Sequence, residues 1–379
     1  MQNYFFIDSK GKSSASQYTF AFENGLFSPE DIEVIIRFRF RSFLSNIRAW
    51  LKYKYKIRFV IRTRENCVSS QCGNVFYFFN SVENIRLLKN RNVNHFFLGH
   101  GESNKRASLH PMYRVYDYLL VAGPFASHRL QQYGVMNQET AAQRVLDIGS
   151  SGVANIDFDD LRVIGENKLN SEARGLLYMP TWEGGTESEN SSTLCFPRLL
   201  EFLIESLKIN NANFIFFRPH PNIGSRNSKY KDAYFSLLKQ LKRENVQIVV
   251  GKKGFETLSV WQRALLGVRK MAVEEKSLNF CYALVDVSAA ETMAAKLGIP
   301  SIILTTDKSD IFAPKAYLEL KGSAVIQLDR WSSMQECSEY AKLQTVQTFQ
   351  GEFISYFRED GNAKLRHVLS GFGMLGKAI

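Results

Sequence analysis

Short apolar runs alternating with helix-length amphipathic segments constrain this chain more than any other feature of its sequence. Runs such as Phe214-Ile215-Phe216-Phe217 and Ser301-Ile302-Ile303-Leu304 are apolar on both sides of a pleat. Strands of that kind must be covered on both faces, and the segments between them can supply the cover. The pattern predicts α/β architecture with parallel sheets wound by helices. In the first half, strands are expected near Phe5–Ile7, Ile57–Arg62, Val75–Asn80, His95–Leu98, Tyr118–Val121 and Val145–Ile148. In the second half they are expected at Gly175–Met179, Phe214–Phe217, Val246–Val250, Ala283–Val287, Ser301–Leu304 and Ala324–Gln327. Helices are expected near Leu194–Ile209, Tyr230–Glu244, Thr257–Val273, Ala289–Leu297 and Ser332–Gln350, with a last stretch from Glu352 to Leu369. Another should open at Ser28-Pro29-Glu30-Asp31, where Ser28 can cap, Pro29 fits the first helical position and the acids suit the positive helix end.

The 379 residues suffice for two cores. Gly149-Ser150-Ser151-Gly152 and the polar run toward Gly175 break the alternation, which places a boundary near residue 150. The expected architecture is two Rossmann-like domains, 1–150 and 151–379, facing a central cleft. In such sheets ligands bind beyond the carboxyl ends of the strands.

No run reaches the roughly 18–20 apolar residues of a membrane span, and the amino terminus meets polar residues too early for a signal peptide. Five scattered cysteines fit free thiols, so a cytoplasmic protein is expected. Lys and Arg number 48 against 37 Asp and Glu, an excess of +11. Much of it lies between Arg37 and Arg64, where Arg37, Arg39, Arg41, Arg48, Lys52 and five further cations alternate with Phe38, Phe40, Phe43, Trp50, Tyr53 and Tyr55. That mixture suits an anionic membrane surface, here the inner face of the plasma membrane. The alternative is a solvated helix face followed by a strand with its basic side outward. No nucleic-acid-binding motif accompanies the charge, so nucleic acid is not expected.

Chemistry is sought just after the strands. Gly99-His100-Gly101 follows one of them, and an imidazole there can take a proton near neutral pH. Arg218-Pro219-His220-Pro221 follows another and suits phosphate charge. Asp286-Val287-Ser288-Ala289-Ala290-Glu291-Thr292 runs from strand into helix, whose first amides and Ser288 can receive a phosphate while Glu291 accepts from a ribose. Ser288 and Glu291 can equally form a capping box. Pro180-Thr181-Trp182 ends a further strand with an aromatic suited to gripping a base or acceptor. Asp157-Phe158-Asp159 lies in the polar crossing and reads as solvated loop, so no metal or other cofactor is expected.

In this order the motifs resemble the CDP-glycerol glycerophosphotransferase family, the teichoic-acid and capsule polymerase type. The resemblance rests on His100-Gly101, Asp117-Tyr118, Tyr133-Gly134, Pro180-Thr181-Trp182, Arg218-Pro219-His220-Pro221, Asp286-Val287-Ser288 and Gly298-Ile299-Pro300. It implies a GT-B fold and transfer of glycerol phosphate from CDP-glycerol to a hydroxyl of a lipid-linked or soluble cell-surface glycan. His100 would be the base that activates the acceptor, and His220 would hold the donor diphosphate. Gly101, Thr181, Trp182, Arg218, Asp286, Ser288, Ala289, Glu291 and Thr292 would line the donor site. Lys105 would stand for the lysine that often follows the family's His-Gly, on the acceptor or membrane side with Arg37, Arg39, Arg41 and Lys52. Ala289 and Met293 depart from the family pattern, and Glu291 is similar to the ribose-binding acid of sugar-nucleotide GT-B enzymes. A nucleotide-sugar glycosyltransferase is therefore an alternative, and a non-catalytic polyanion- or lipid-binding module is a second.

Overall fold

A computed structural model describes residues 2–9, 15–23, 25–68, 72–99, 103–121, 123–148, 160–165, 173–183, 191–271, 278–307, 311–321 and 324–331. The expected Gly149–Gly152 break and the helices expected beyond Ser332 lie outside the described residues. Those described form two compact units: residues 2–99 and 107–148 in the first, 103–106 and 160–331 in the second.

The first unit is a seven-stranded parallel sheet. Its strands are β1 (Gln2–Ile7), β2 (Ile32–Arg37), β3 (Lys56–Val60), β4 (Gly73–Tyr77), β5 (Val93–Phe97), β6 (Tyr118–Val121) and β7 (Val145–Asp147), in the order β3-β2-β1-β4-β5-β6-β7. Helices α1 (Ser16–Glu23), α2 (Phe40–Tyr53), α3 (Asn84–Leu87), α4 (Pro124–Gln132) and α5 (Gln138–Arg144) belong to it. Alternate residues of β1 feed opposite faces: Phe5 and Ile7 enter one core, Tyr4 and Phe6 the other. Phe5 meets Phe22, Phe27 and Phe78 at centroid distances of 5.4, 5.1 and 4.8 Å.

The helix expected from Ser28 is a correction. Pro29–Asp31 makes a single 3-10 turn, and the chain then enters β2. Ser28 makes no side-chain cap, and Ile32-Glu33-Val34-Ile35-Ile36 is a β-branched run whose apolar residues are all buried. A local start signal lost to a strand that fits a two-sided core.

His95, buried in β5, places Nδ1 2.9 Å from the Tyr77 hydroxyl and Nε2 2.9 Å from the Asn90 carbonyl. A carbonyl only accepts, so Nε2 carries the proton and Nδ1 accepts from Tyr77. Burial pushes the His95 pKa down, opposed in part by the Asn90 hydrogen bond and by Asp117. The unfolded chain then binds a proton more readily than the fold. Stability from this group is complete above its unfolded value near 6.5 and is lost as pH falls through the lowered one. Thermal melts of the whole chain should show Tm falling below about pH 6.5, with a shallower fall in His95→Gln. Equal slopes in the two proteins would remove His95 as the cause.

The second unit is an eight-stranded sheet in the order β12-β8-β11-β10-β9-β13-β14-β15. The strands are β8 (Arg162–Ile164), β9 (Arg174–Met179), β10 (Phe214–Phe217), β11 (Gln247–Val250), β12 (Arg269–Lys270), β13 (Asn279–Asp286), β14 (Ser301–Thr305) and β15 (Val325–Gln327). Only the pairs that β8 makes, with β11 and β12, are antiparallel among the described strands. Its helices are α6 (Arg198–Ile209), α7 (Ser228–Arg243), α8 (Lys252–Thr257), α9 (Val260–Leu266), α10 (Ala290–Lys296) and α11 (Lys315–Lys321). The single helix expected over Thr257–Val273 is replaced by α8, α9 and β12. Ser259 and Gln262 form a reciprocal capping box that starts α9, and Gly267 ends it at φ 66°.

Candidate functional site

The parallel strands β10 and β13 flank β9, and the chain reaches them on opposite sides of it. The end of β9 therefore lies at a topological switch point, where neighbouring connections diverge and leave a crevice. Register brings Phe217 beside Tyr178 and Val285 beside Met179. The residues that follow, Pro180–Glu183, Arg218–His220 and Val287–Ser288, thus emerge along one sheet edge.

A cationic and aromatic cluster occupies that edge. The Trp182 indole stacks on the His220 imidazole, with centroids 5.4 Å apart and planes 12° from parallel. The Arg226 guanidinium sits 4.6 Å from the Trp182 centroid. His220 Nδ1 accepts the Asn222 N–H at 3.1 Å, so a neutral imidazole carries its proton on Nε2 and is a donor there. The His220 N–H is itself donated to the Pro180 carbonyl at 2.9 Å, which ties the Arg-Pro-His-Pro turn to the end of β9.

Glu183 and Arg226 belong to this cluster, and sequence reasoning missed both. Glu183 is buried and accepts the backbone N–H groups of Gly224, Arg226 and Asn227 at 2.9, 2.6 and 3.1 Å. One carboxylate thereby shapes the loop that carries Arg226. Only its place directly after Pro180-Thr181-Trp182 could have drawn attention to it. Removing a buried acceptor from several donors costs about 1–3 kcal/mol per stranded group. Glu183→Ala should therefore lower stability by about 3 kcal/mol or more, read as a denaturation midpoint, whereas Glu183→Gln should cost less. An unshifted midpoint in Glu183→Ala would mean that the loop holds itself.

Other expected donor ligands form the frame of the site. Asp286 is buried, and its carboxylate accepts Thr181 N–H at 2.6 Å and Ser192 N–H at 3.2 Å. Burial pushes its pKa up, while those hydrogen bonds and nearby Lys105 pull it back. A buried acid engaged by backbone donors braces two loops. Thr181 is likewise buried, with Oγ1 accepting from Lys105 Nζ at 3.1 Å. Lys105 was expected on the acceptor or membrane side; instead it is buried and groups with the second unit.

The expected capping box at α10 does not form. Ala289 is the N-cap residue without a side-chain bond, and Ser288 Oγ accepts the Ala290 N–H at 3.2 Å. Glu291 turns away to accept from Asn104 Nδ2 at 3.3 Å and from the Tyr317 hydroxyl. Ser288, Ala289 and Thr292 are half-buried around the first turn. Met293 places its sulfur 3.7 Å from Arg218 Nη1, a contact that does not neutralise the guanidinium as an acid there would.

In the first unit a small cavity lies at the ends of β5 and β6. Phe97, Gly99, Ser108, Tyr113 and Arg129 are among the residues that line it. His100 and Gly101 themselves lie outside the described residues, as do Asp157 and Asp159. Gly99 holds φ 67°, a turn glycine adopts readily. Among the described residues, no group of three or more His, Cys, Asp and Glu could hold a metal ion, and no helix is long and apolar enough to cross a membrane. Within the basic segment, Arg37 and Arg39 pair with buried Asp8 at 3.5 and 2.9 Å, and Arg37 also meets Glu83 at 3.1 Å. Lys52 reaches Glu23 at 3.6 Å, and Arg41 is exposed.

No protein-family model matches the chain, and no curated protein matches it. Solved structures match it over nearly its whole length. One is the S. aureus MnaA–UDP co-structure, with TM-score 0.52, 11% identity, and 99% of this chain and 98% of that one covered. Another is Arabidopsis thaliana UGT89C1 complexed with UDP-L-rhamnose, with TM-score 0.53, 9% identity, and coverage of 98% and 99%. The wall teichoic acid polymerase TagF with CDPG matches at TM-score 0.49 and 14% identity, covering 98% and 87%. At such identities the likeness is one of fold. The chain is an α/β protein of the GT-B type, built from two Rossmann-like units.

Proposed function

We propose that this chain is a transferase that takes glycerol phosphate from CDP-glycerol to a hydroxyl of a bacterial cell-surface glycan, at the cytoplasmic face of the plasma membrane. The observation that carries the reading is the cluster of Arg218, His220, Trp182 and Arg226 at the switch point of the second sheet. Guanidinium and imidazole donors suit a diphosphate, and the aromatic suits the nucleoside beside it. The acceptor oxygen attacks the phosphorus nearest the glycerol, the bond from that phosphorus to the CMP oxygen breaks, and the acceptor proton passes to His100. The charge that collects on CMP is met by His220 and Arg218, with buried Lys105 nearby in the same unit as a further source of positive potential. These side chains supply the cations that a metal would otherwise provide, so the proposal includes no metal or cofactor.

The nucleotide-sugar alternative rests on Glu291 as a ribose partner, and both of its oxygens are engaged by Asn104 and Tyr317. Titration calorimetry separates the readings. CDP-glycerol should bind more tightly than UDP-sugars, and Arg218→Gln should weaken it by about tenfold or more, as loss of a charge-assisted hydrogen bond does. Tighter binding of a UDP-sugar, or an unchanged affinity in Arg218→Gln, would reject the assignment.

A further inference from the structure

Helix α2 is mounted with its apolar side outward. Ser42, Asn46 and Ala49, spaced i, i+4 and i+7, are its buried residues. Asn46 accepts from the Tyr18 hydroxyl at 3.0 Å, and Tyr18 lies 2.8 Å from the Tyr55 hydroxyl. The Asn46 side-chain amide donates to the Ser42 carbonyl at 2.9 Å. This buried network sets the helix's rotation, because turning the helix would strand its polar atoms.

The opposite side carries Phe40, Leu44, Ile47 and Leu51, an i, i+4, i+7, i+11 stripe. Phe40, Leu44 and Leu51 are 87%, 65% and 51% exposed. Phe38 and Ile61 extend it: the Phe38 N–H bonds the Val60 carbonyl at 2.8 Å, and Ile61 is 81% exposed. Arg41, Arg48 and Lys52 each follow a stripe residue by one position, which puts a row of exposed cations along one flank. An apolar stripe normally faces a core. Here it faces outward beside a cationic row, on a chain of net charge +11.

We propose that this face of α2, with Phe38 and Ile61, docks on an anionic lipid surface. The apolar stripe enters the boundary between headgroups and acyl chains, and Arg41, Arg48 and Lys52 meet lipid phosphates. Arg37 and Arg39 take no part, because Asp8 holds them in a largely covered pair, whereas the Lys52 side chain stays 67% exposed beside Glu23. Charge complementarity favours lipid over a second copy of the chain, whose identical face would oppose cation to cation.

The test is co-sedimentation of the whole chain with vesicles of phosphatidylcholine, with and without phosphatidylglycerol, across a salt series. The chain should bind the anionic vesicles more tightly. The combined change Phe40→Ser, Leu44→Ser and Leu51→Ser should weaken binding by at least about tenfold. Substituting Arg41→Gln, Arg48→Gln and Lys52→Gln should cost about fivefold per cation at low salt and much less at high salt. Melting curves must match the parent, as expected for exposed positions. If the serine variant folds and sediments with anionic vesicles as the parent does, the stripe does not insert and the proposal fails. It fails equally if the parent ignores vesicles and sedimentation velocity shows a dimer that the serine variant dissolves.

Discussion

His100→Ala should lower turnover by about two to four orders of magnitude, the usual share of a positioned general base. His100 directly follows Gly99, which holds a left-handed backbone two residues beyond the buried strand β5. Gly99 also lines the cavity that Phe97, Tyr113 and Arg129 share. The loss should fall on the chemical step, with donor affinity unchanged, because the proposed base touches the acceptor's proton and not the nucleotide. The acid limb of the pH–rate profile should disappear with the imidazole, and His100→Gln should not restore it. A loss below tenfold, in a folded variant that binds donor normally, would remove His100 from catalysis.

His220→Ala should reduce kcat/KM for the donor by about two to three orders of magnitude, comparable to removing one donor from a transition-state charge site. The geometry makes this substitution unusually costly. It deletes the Nε2–H donor, takes away the ring that stacks on Trp182, and strips Asn222 N–H of its acceptor. Because the proposed donor diphosphate would be held before and during reaction, both KM and kcat should suffer. His220→Gln restores a donor but no stacking ring, and should recover part of kcat. Steady-state kinetics with varied donor measure the split, and unchanged KM and kcat would reduce the Arg-Pro-His-Pro turn to a structural element.

The parallel strands were legible because a two-sided burial requirement writes itself as an apolar run. Tyr118–Val121 and Phe214–Phe217 were read residue for residue. β8 was not, since three residues paired antiparallel between β11 and β12 leave no periodicity to read. Ser28-Pro29 misled because a helix-start signal is local, whereas burial of Ile32 to Ile36 is decided by the neighbouring strands. At the candidate site, Arg218, His220 and Trp182 were readable as strand-end residues. The roles of Asp286, Thr181, Lys105 and Glu183 were not, because each depends on contacts between segments about 40 to 105 residues apart. Likewise α2's charges and aromatics were plain in the sequence, but a helical pattern does not reveal which side faces in. Asn46 meeting Tyr18 across 28 positions decides that.

The central claim is best tested by identifying both products of turnover. The whole chain, supplied with a glycan acceptor and either CDP-glycerol or UDP-sugars, should release CMP from the first and leave the second intact. Mass spectrometry of the acceptor should show the gain of one or more glycerol phosphate units, and His100→Ala should abolish both signals together. Release of UDP with a hexose added to the acceptor, or no nucleotide from any donor, would contradict the account.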